Sequence, residues 1–249
     1  MFFDSGGVRL HYVLEGPRAG APIVLVHGFC SDYTLNWVGT RWQETLTQSG
    51  SLVLGLDCRG HGRSEKPHEP AAYSRAEMAA DVVRLLDHLG LARADVLGYS
   101  MGARIGLELA IAHPARSGRV VLGGLGMWGS ADRSELIARR LRGDDAVDDP
   151  AALMFYRFAA AREVNDLEAL ACCILGPQPP IDEPQLRAIE RPVLVVIGDQ
   201  DVVAQGGEAA ARLIPGGRFL SLPGRNHMNA VPARSFKEAA LEFLDAGAA

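Results

Sequence analysis

The stretch ADVLGYSMGARIGLELAIAHP, residues 94–114, constrains the fold more than any other part of the sequence. A short apolar run, Asp95 to Leu97, passes directly into a helical pattern, Ala103 to Ala112. The pivot is Ser100, with Gly98 and Gly102 two positions to either side. A strand that turns into a helix this tightly needs strained backbone angles at the pivot and close approach of the chain on both sides, so bulk is excluded there. The turn would lift the Ser100 hydroxyl above the carboxyl edge of a sheet. The helix behind it would direct free N–H groups and its positive dipole end at the same spot, where an oxyanion would develop. Ser100 is thus a candidate nucleophile; without partners it would be a solvated serine at a glycine-containing junction.

The remainder of the chain supplies the sheet. Val8 to Leu14 alternates apolar and polar residues, the pattern of a half-buried antiparallel strand. Short continuous apolar runs follow at Ile23–Val26, Leu52–Leu56, Asp95–Leu97, Val120–Leu122, Val193–Ile197 and Phe219–Leu222, as expected of parallel strands covered on both faces. Helical periodicity fills most of the intervals, most clearly at Met78, Val82, Leu85, Leu86 and Leu89, with Gly90 ending the helix. Alternating strand and helix predicts an α/β fold, a mostly parallel sheet of roughly eight strands with helices on both faces.

Residues 127–191 break the rhythm, because no convincing strand lies among them. Asp132 with Glu135 reads as a capping box for a helix near 133–142; residues 151–161 and 164–175 are helical in pattern, and residues 176–184 form a Pro-rich return. We expect residues 1–126 and 192–249 to form the core and residues 127–191 a small helical cap over the sheet edge where ligands of open α/β sheets bind.

Composition limits the partners. The 249 residues are 48% apolar, enough for a sizeable single core, and the net charge of −5 without a basic cluster argues against nucleic acid or an anionic membrane surface. A small-molecule substrate is expected instead. The N-terminus lacks a basic and apolar leader pattern, and no uncharged apolar run approaches the ~18 residues of a membrane span, so the expected location is the cytoplasm. Cys30, Cys58, Cys172 and Cys173 lack metal or disulfide-scaffold spacing and read as free thiols. No metal or cofactor is expected. Gly124 to Gly129 spells GxGxxG after a strand, but no second strand follows within a ~30-residue βαβ unit, so its glycines read as the hinge into the cap. Nothing in the sequence fixes an oligomeric state.

A nucleophilic serine needs a base and a group that orients it. Of seven histidines only His227 follows His113, so if the order is Ser, acid, His, the base is His227, in a loop after the last strand and before a final helix at Pro232–Leu244. The acid should follow the strand Val193–Ile197, where Asp199 and Asp201 both qualify. Asp201 stands further beyond the strand end and is better placed to reach the imidazole. An oxyanion hole needs two backbone donors: the residue after the nucleophile, Met101, and Phe29 in the turn His27-Gly28-Phe29.

Together these motifs resemble the α/β-hydrolase fold superfamily everywhere except the cap: HGF at 27–29, DCRGHGRS at 57–64, GYSMG at 98–102, GDQD at 198–201 and GRNH at 224–227. The resemblance implies a serine esterase-like hydrolase with Ser100 as nucleophile, Asp201 as acid and His227 as base, and with His61 as part of a structural turn at the pocket rim. It also implies an acyl-enzyme route for a small or medium carboxylic ester, since a serine elbow is unlike the carboxylate nucleophile of epoxide hydrolases and haloalkane dehalogenases. Arg104, Tyr99 and Trp128 are candidate substrate contacts. Arg104 stands where a menaquinone-pathway lyase that eliminates pyruvate carries an arginine; the favoured alternative is a surface pair with Glu108. Carbon-carbon bond hydrolases usually have Asn where Tyr99 stands. An enol-lactonase and a non-catalytic ligand receptor complete the alternatives.

Overall fold

The computed structural model describes residues 1–127 and 131–246. Its strands are β1 (Phe2–Ser5), β2 (Val8–Glu15), β3 (Pro22–Val26), β4 (Leu52–Leu56), β5 (Ala94–Tyr99), β6 (Ser117–Gly123), β7 (Val193–Gly198) and β8 (Arg218–Leu222). They form one sheet in the order β1-β2-β4-β3-β5-β6-β7-β8. The pairs β1–β2 and β2–β4 are antiparallel and all the others parallel, giving the eight-stranded, mostly parallel arrangement expected. The helices are α1 (Trp42–Gln48), α2 (Arg75–His88), α3 (Met101–Ala112), α4 (Ala131–Leu141), α5 (Pro150–Ala160), α6 (Leu167–Ile174), α7 (Glu183–Arg187), α8 (Gly207–Leu213) and α9 (Arg234–Asp245).

Strand residues alternate between two cores, as the period of two requires. Val24 and Val26 of β3 belong to the same core as residues of α2, α3 and α8, whereas Ile23 and Leu25 belong to the core that includes residues of α1 and α9. Every residue of β4 and β7 is buried, which is why these strands read as unbroken apolar runs. Trp42 of α1 is fully buried against Phe236 of α9, and its Nε1–H donates to the Val231 carbonyl at 2.8 Å. That bond ties the chain after β8 to the core and so fixes where His227 comes to rest.

The chain between β6 and β7 carries α4 to α7, and α4, α5 and α6 enclose a small apolar core of their own that also takes in Cys30. This is the small helical cap. Two ion pairs link it to the loops below: Arg162 with the buried Asp32, and Asp166 with His68.

The structure departs from expectation in several elements, among them α6, which begins at Leu167 and not at 164. β1 was not foreseen. α4 begins at Ala131, so Asp132 lies inside its first turn and is not the residue that caps it. The Pro-rich return runs into a helix that was not expected, α7, which is started by a capping box between Asp182 and Gln185. α9 starts at Arg234, two residues after Pro232.

Candidate active site

The tight turn at the end of β5 holds Ser100 at φ 55° and ψ −110°, a conformation that costs an L-residue about 1–3 kcal/mol and persists only where its surroundings enforce it. The enforcement is steric. A Cβ on Gly98 would collide with the backbone of Gly102, and one on Gly102 would collide with the Val26 carbonyl. α3 therefore packs directly against β3 and β5. The Ser100 N–H donates to the Gly123 carbonyl at 2.8 Å, anchoring the pivot to the neighbouring β6.

The three residues proposed from sequence as a relay are in hydrogen-bond contact. His227 Nε2 lies 2.9 Å from Ser100 Oγ, and His227 Nδ1 lies 2.7 Å from Asp201 Oδ2. The second carboxylate oxygen of Asp201 accepts the N–H groups of Val203 and Ala204, each at 2.9 Å. Burial pushes the Asp201 carboxyl up, but its bonds from His227 and the two amides outweigh this and hold it below the usual carboxylate range. With Asp201 ionised, Nδ1 is the protonated nitrogen and Nε2 is free to accept from Ser100. Asp199 is directed elsewhere: its carboxylate caps the Gly224 N–H at 2.7 Å.

Around the candidate oxyanion position, His27 is fully buried as a neutral ring, its pKa lowered chiefly by burial. Its Nε2 accepts the Cys58 N–H at 3.0 Å, so Nδ1 carries the proton and donates to the Gly28 carbonyl at 2.8 Å. The Gly28 N–H donates to Asn36 Oδ1 at 3.0 Å. The next two amides of interest, Phe29 N–H and Met101 N–H, donate to no group among the described residues. His61 is fully buried below Phe29 and does not reach the rim expected for it; burial first and His27 second push its pKa down to about 3.

A cavity of about 230 Å³ opens over Ser100 and His227. Phe29, Leu35, Met154, Phe155, Phe158 and Val231 give it apolar walls, with Ser31, Asn36 and Thr40 as polar points, and no Asp, Glu, Lys or Arg is among the described residues lining it. Tyr99 lines it too, but its hydroxyl is committed to the His227 carbonyl at 2.6 Å, so it steadies the histidine loop. Arg104 does not pair with Glu108, which bonds Arg75 at 2.7 Å instead. The Arg104 guanidinium turns to the carbonyls of Gly126 and Met127, at 2.8 and 3.4 Å, at the root of the cap and away from the cavity lining. Trp128 lies outside the described residues. Sequence reasoning missed Asn36 and the α5 aromatics; neither carries a backbone signature that a motif could report.

No helix among the described residues is long and apolar enough to cross a membrane, and no group of three or more His, Cys, Asp or Glu there could hold a metal ion. The four cysteines are free and buried.

Comparison with known proteins agrees with the fold. The family model described as alpha/beta hydrolase fold matches residues 21–138. A haloalkane dehalogenase from Mycolicibacterium paratuberculosis is 37% identical over 119 residues, which is 48% of this chain and only 38% of that relative. A putative 2-succinyl-6-hydroxy-2,4-cyclohexadiene-1-carboxylate synthase from Bacillus subtilis is 26% identical over 96% of both chains. Among solved structures, the enol-lactonase from Burkholderia xenovorans LB400 superposes with a TM-score of 0.83 at 28% identity, covering 98% of this chain and 99% of that one.

Proposed function

This chain belongs to the α/β-hydrolase fold superfamily, and from that premise we propose that it is a serine hydrolase cleaving a small or medium, largely apolar carboxylic ester or lactone. The observation that carries this reading is the unbroken contact Asp201–His227–Ser100 beneath an apolar cavity, with two unspent amides beside the serine. Ser100 Oγ attacks the ester carbonyl carbon while His227 Nε2 takes the hydroxyl proton. The carbonyl electron pair moves onto oxygen, where the N–H groups of Phe29 and Met101 stabilise it. Collapse of this adduct breaks the bond to the alcohol, which leaves with the proton from His227. Water then repeats the sequence on the acyl-serine, releasing the acid. Asp201 holds the imidazole in the required tautomer and stabilises its cation.

A graded series of para-nitrophenyl esters tests the reading. Specificity, as kcat/KM, should rise with acyl length until the cavity is filled and then fall; no turnover anywhere in the series would overturn it.

A second reading, pyruvate elimination, draws support from the full-length Bacillus subtilis relative. The uncharged cavity wall and the engagement of Arg104 with two backbone carbonyls count against it. On the ester-hydrolase reading, Arg104→Ala loses about 1–3 kcal/mol of stability through those carbonyls, and ester turnover falls less than about tenfold. Pyruvate release by the wild type from the intermediate used by that relative, abolished in Arg104→Ala with ester turnover spared, would reverse the choice.

A further inference from the structure

Asn36 stands in the cavity wall on the π-helical turn Thr34–Val38, a type of irregularity that recurs at functional sites. The residue is only 7% exposed, and the two ends of its side chain have different fates. Oδ1 accepts the Gly28 N–H; the reverse orientation would set two donors against each other, so the amide cannot be flipped. Nδ2 is therefore the end left over, and it is buried with no partner among the described residues. Native interiors rarely leave such a donor unmade, because the loss of its hydration is not returned by any other bond. The geometry also puts Asn36 close to the reacting centre: the Cβ direction of Gly28 points within 3.4 Å of Ser100 Cβ and within 3.6 Å of Asn36 Oδ1.

From this juxtaposition we infer that Asn36 Nδ2 is a specificity determinant that donates a hydrogen bond to a second acceptor oxygen of the substrate, a few bonds from the scissile carbonyl. The inference rests on the serine-hydrolase reading and narrows its substrate class. The preferred ester or lactone has an ether, carbonyl or hydroxyl oxygen near the reacting carbonyl and an apolar remainder that fills the Phe155 and Phe158 side of the cavity. A plain alkyl ester of equal length leaves the amide unpaired and is turned over less well.

Two matched pairs test it, each exchanging one methylene for oxygen: para-nitrophenyl propoxyacetate against para-nitrophenyl hexanoate for the acyl chain, and methoxyethyl butanoate against butyl butanoate for the alcohol. After division by alkaline hydrolysis rates, the wild type should prefer the oxygen-bearing member of at least one pair by about ten- to a hundredfold in kcat/KM. Asn36→Asp retains an oxygen for the Gly28 N–H but has no N–H to give, and should bring that ratio within about threefold of unity. Asn36→Leu, checked for folding by its melting temperature, should do the same. Absence of preference in both pairs for the wild type overturns the inference, as does a preference that survives in Asn36→Asp. An equal loss on all four esters also overturns it, since the donor would then act on the scissile carbonyl. Plain esters turned over without any oxygen preference leave the hydrolase reading intact while this inference falls; no turnover of any ester removes both.

Discussion

Ser100→Ala is expected to reduce turnover of an activated ester by roughly four to six orders of magnitude while leaving the fold and KM nearly unchanged. Among the described residues, the hydroxyl is the group that the geometry offers both to His227 Nε2, at 2.9 Å, and to the space in front of the unspent Met101 and Phe29 amides. Alanine removes the proposed nucleophile but keeps a small side chain at the strained φ, so stability should barely move, and any residual rate would come from the amides and substrate positioning alone. A fluorophosphonate probe should accordingly add one phosphonyl group to Ser100, located by mass spectrometry of the digested protein. Undiminished esterase activity in the alanine variant, or a label on another residue, would remove Ser100 from the reaction.

The second large effect separates two aspartates that lie two residues apart. Asp201→Asn should lower kcat by about 10³- to 10⁴-fold, because an amide at this position can offer an N–H to His227 Nδ1, favouring the tautomer that protonates Nε2 and cannot accept from Ser100. Asp199→Asn should lose about tenfold or less, since it only perturbs the cap on the Gly224 N–H. The contrast also appears as pH changes. The carboxyl of Asp201 is held below its ordinary value, so its contribution to stability is complete above the unfolded-state pKa and fades as pH falls through the lower folded-state value. Asp201→Asn should therefore show a shallower loss of stability on acidification than the wild type, measured by denaturant midpoints across the acid range. The reverse ranking of the two kcat losses would assign the orienting role to Asp199.

What the sequence disclosed follows from which residues are forced. Gly98 and Gly102 announce the elbow because any Cβ there strikes backbone, and the apolar runs of β4 and β7 announce parallel strands because both faces are covered. β1 was hidden because its four residues, Phe2 to Ser5, are too few to show a period and acquire strand geometry only by pairing with β2. α7 was hidden because Pro184 reads as a breaker, whereas prolines are well tolerated in the first helical turn, where it stands. Arg104 and Glu108 have the spacing of a surface pair, yet tertiary contacts give each a different partner: two carbonyls for one, Arg75 for the other. Asn36 was illegible for a related reason. Its significance lies in what its side chain meets across the fold, and the neighbouring sequence bears no mark of that.

The cap lies between β6 and β7, and these two strands pair directly, with Val120 opposite Val193 and Gly123 opposite Val196. The chain therefore leaves at the end of one strand and re-enters at the start of its immediate neighbour, a gap of about one strand length, roughly 10 to 13 Å. Any helical segment able to bridge that gap can be spliced in without changing the register of the sheet or the spacing of Ser100, Asp201 and His227, which come from the ends of β5, β7 and β8. The insert supplies Met154, Phe155 and Phe158 to the cavity wall, so exchanging it would reshape that part of the wall while leaving the strand ends that carry Ser100, Asp201 and His227 in register.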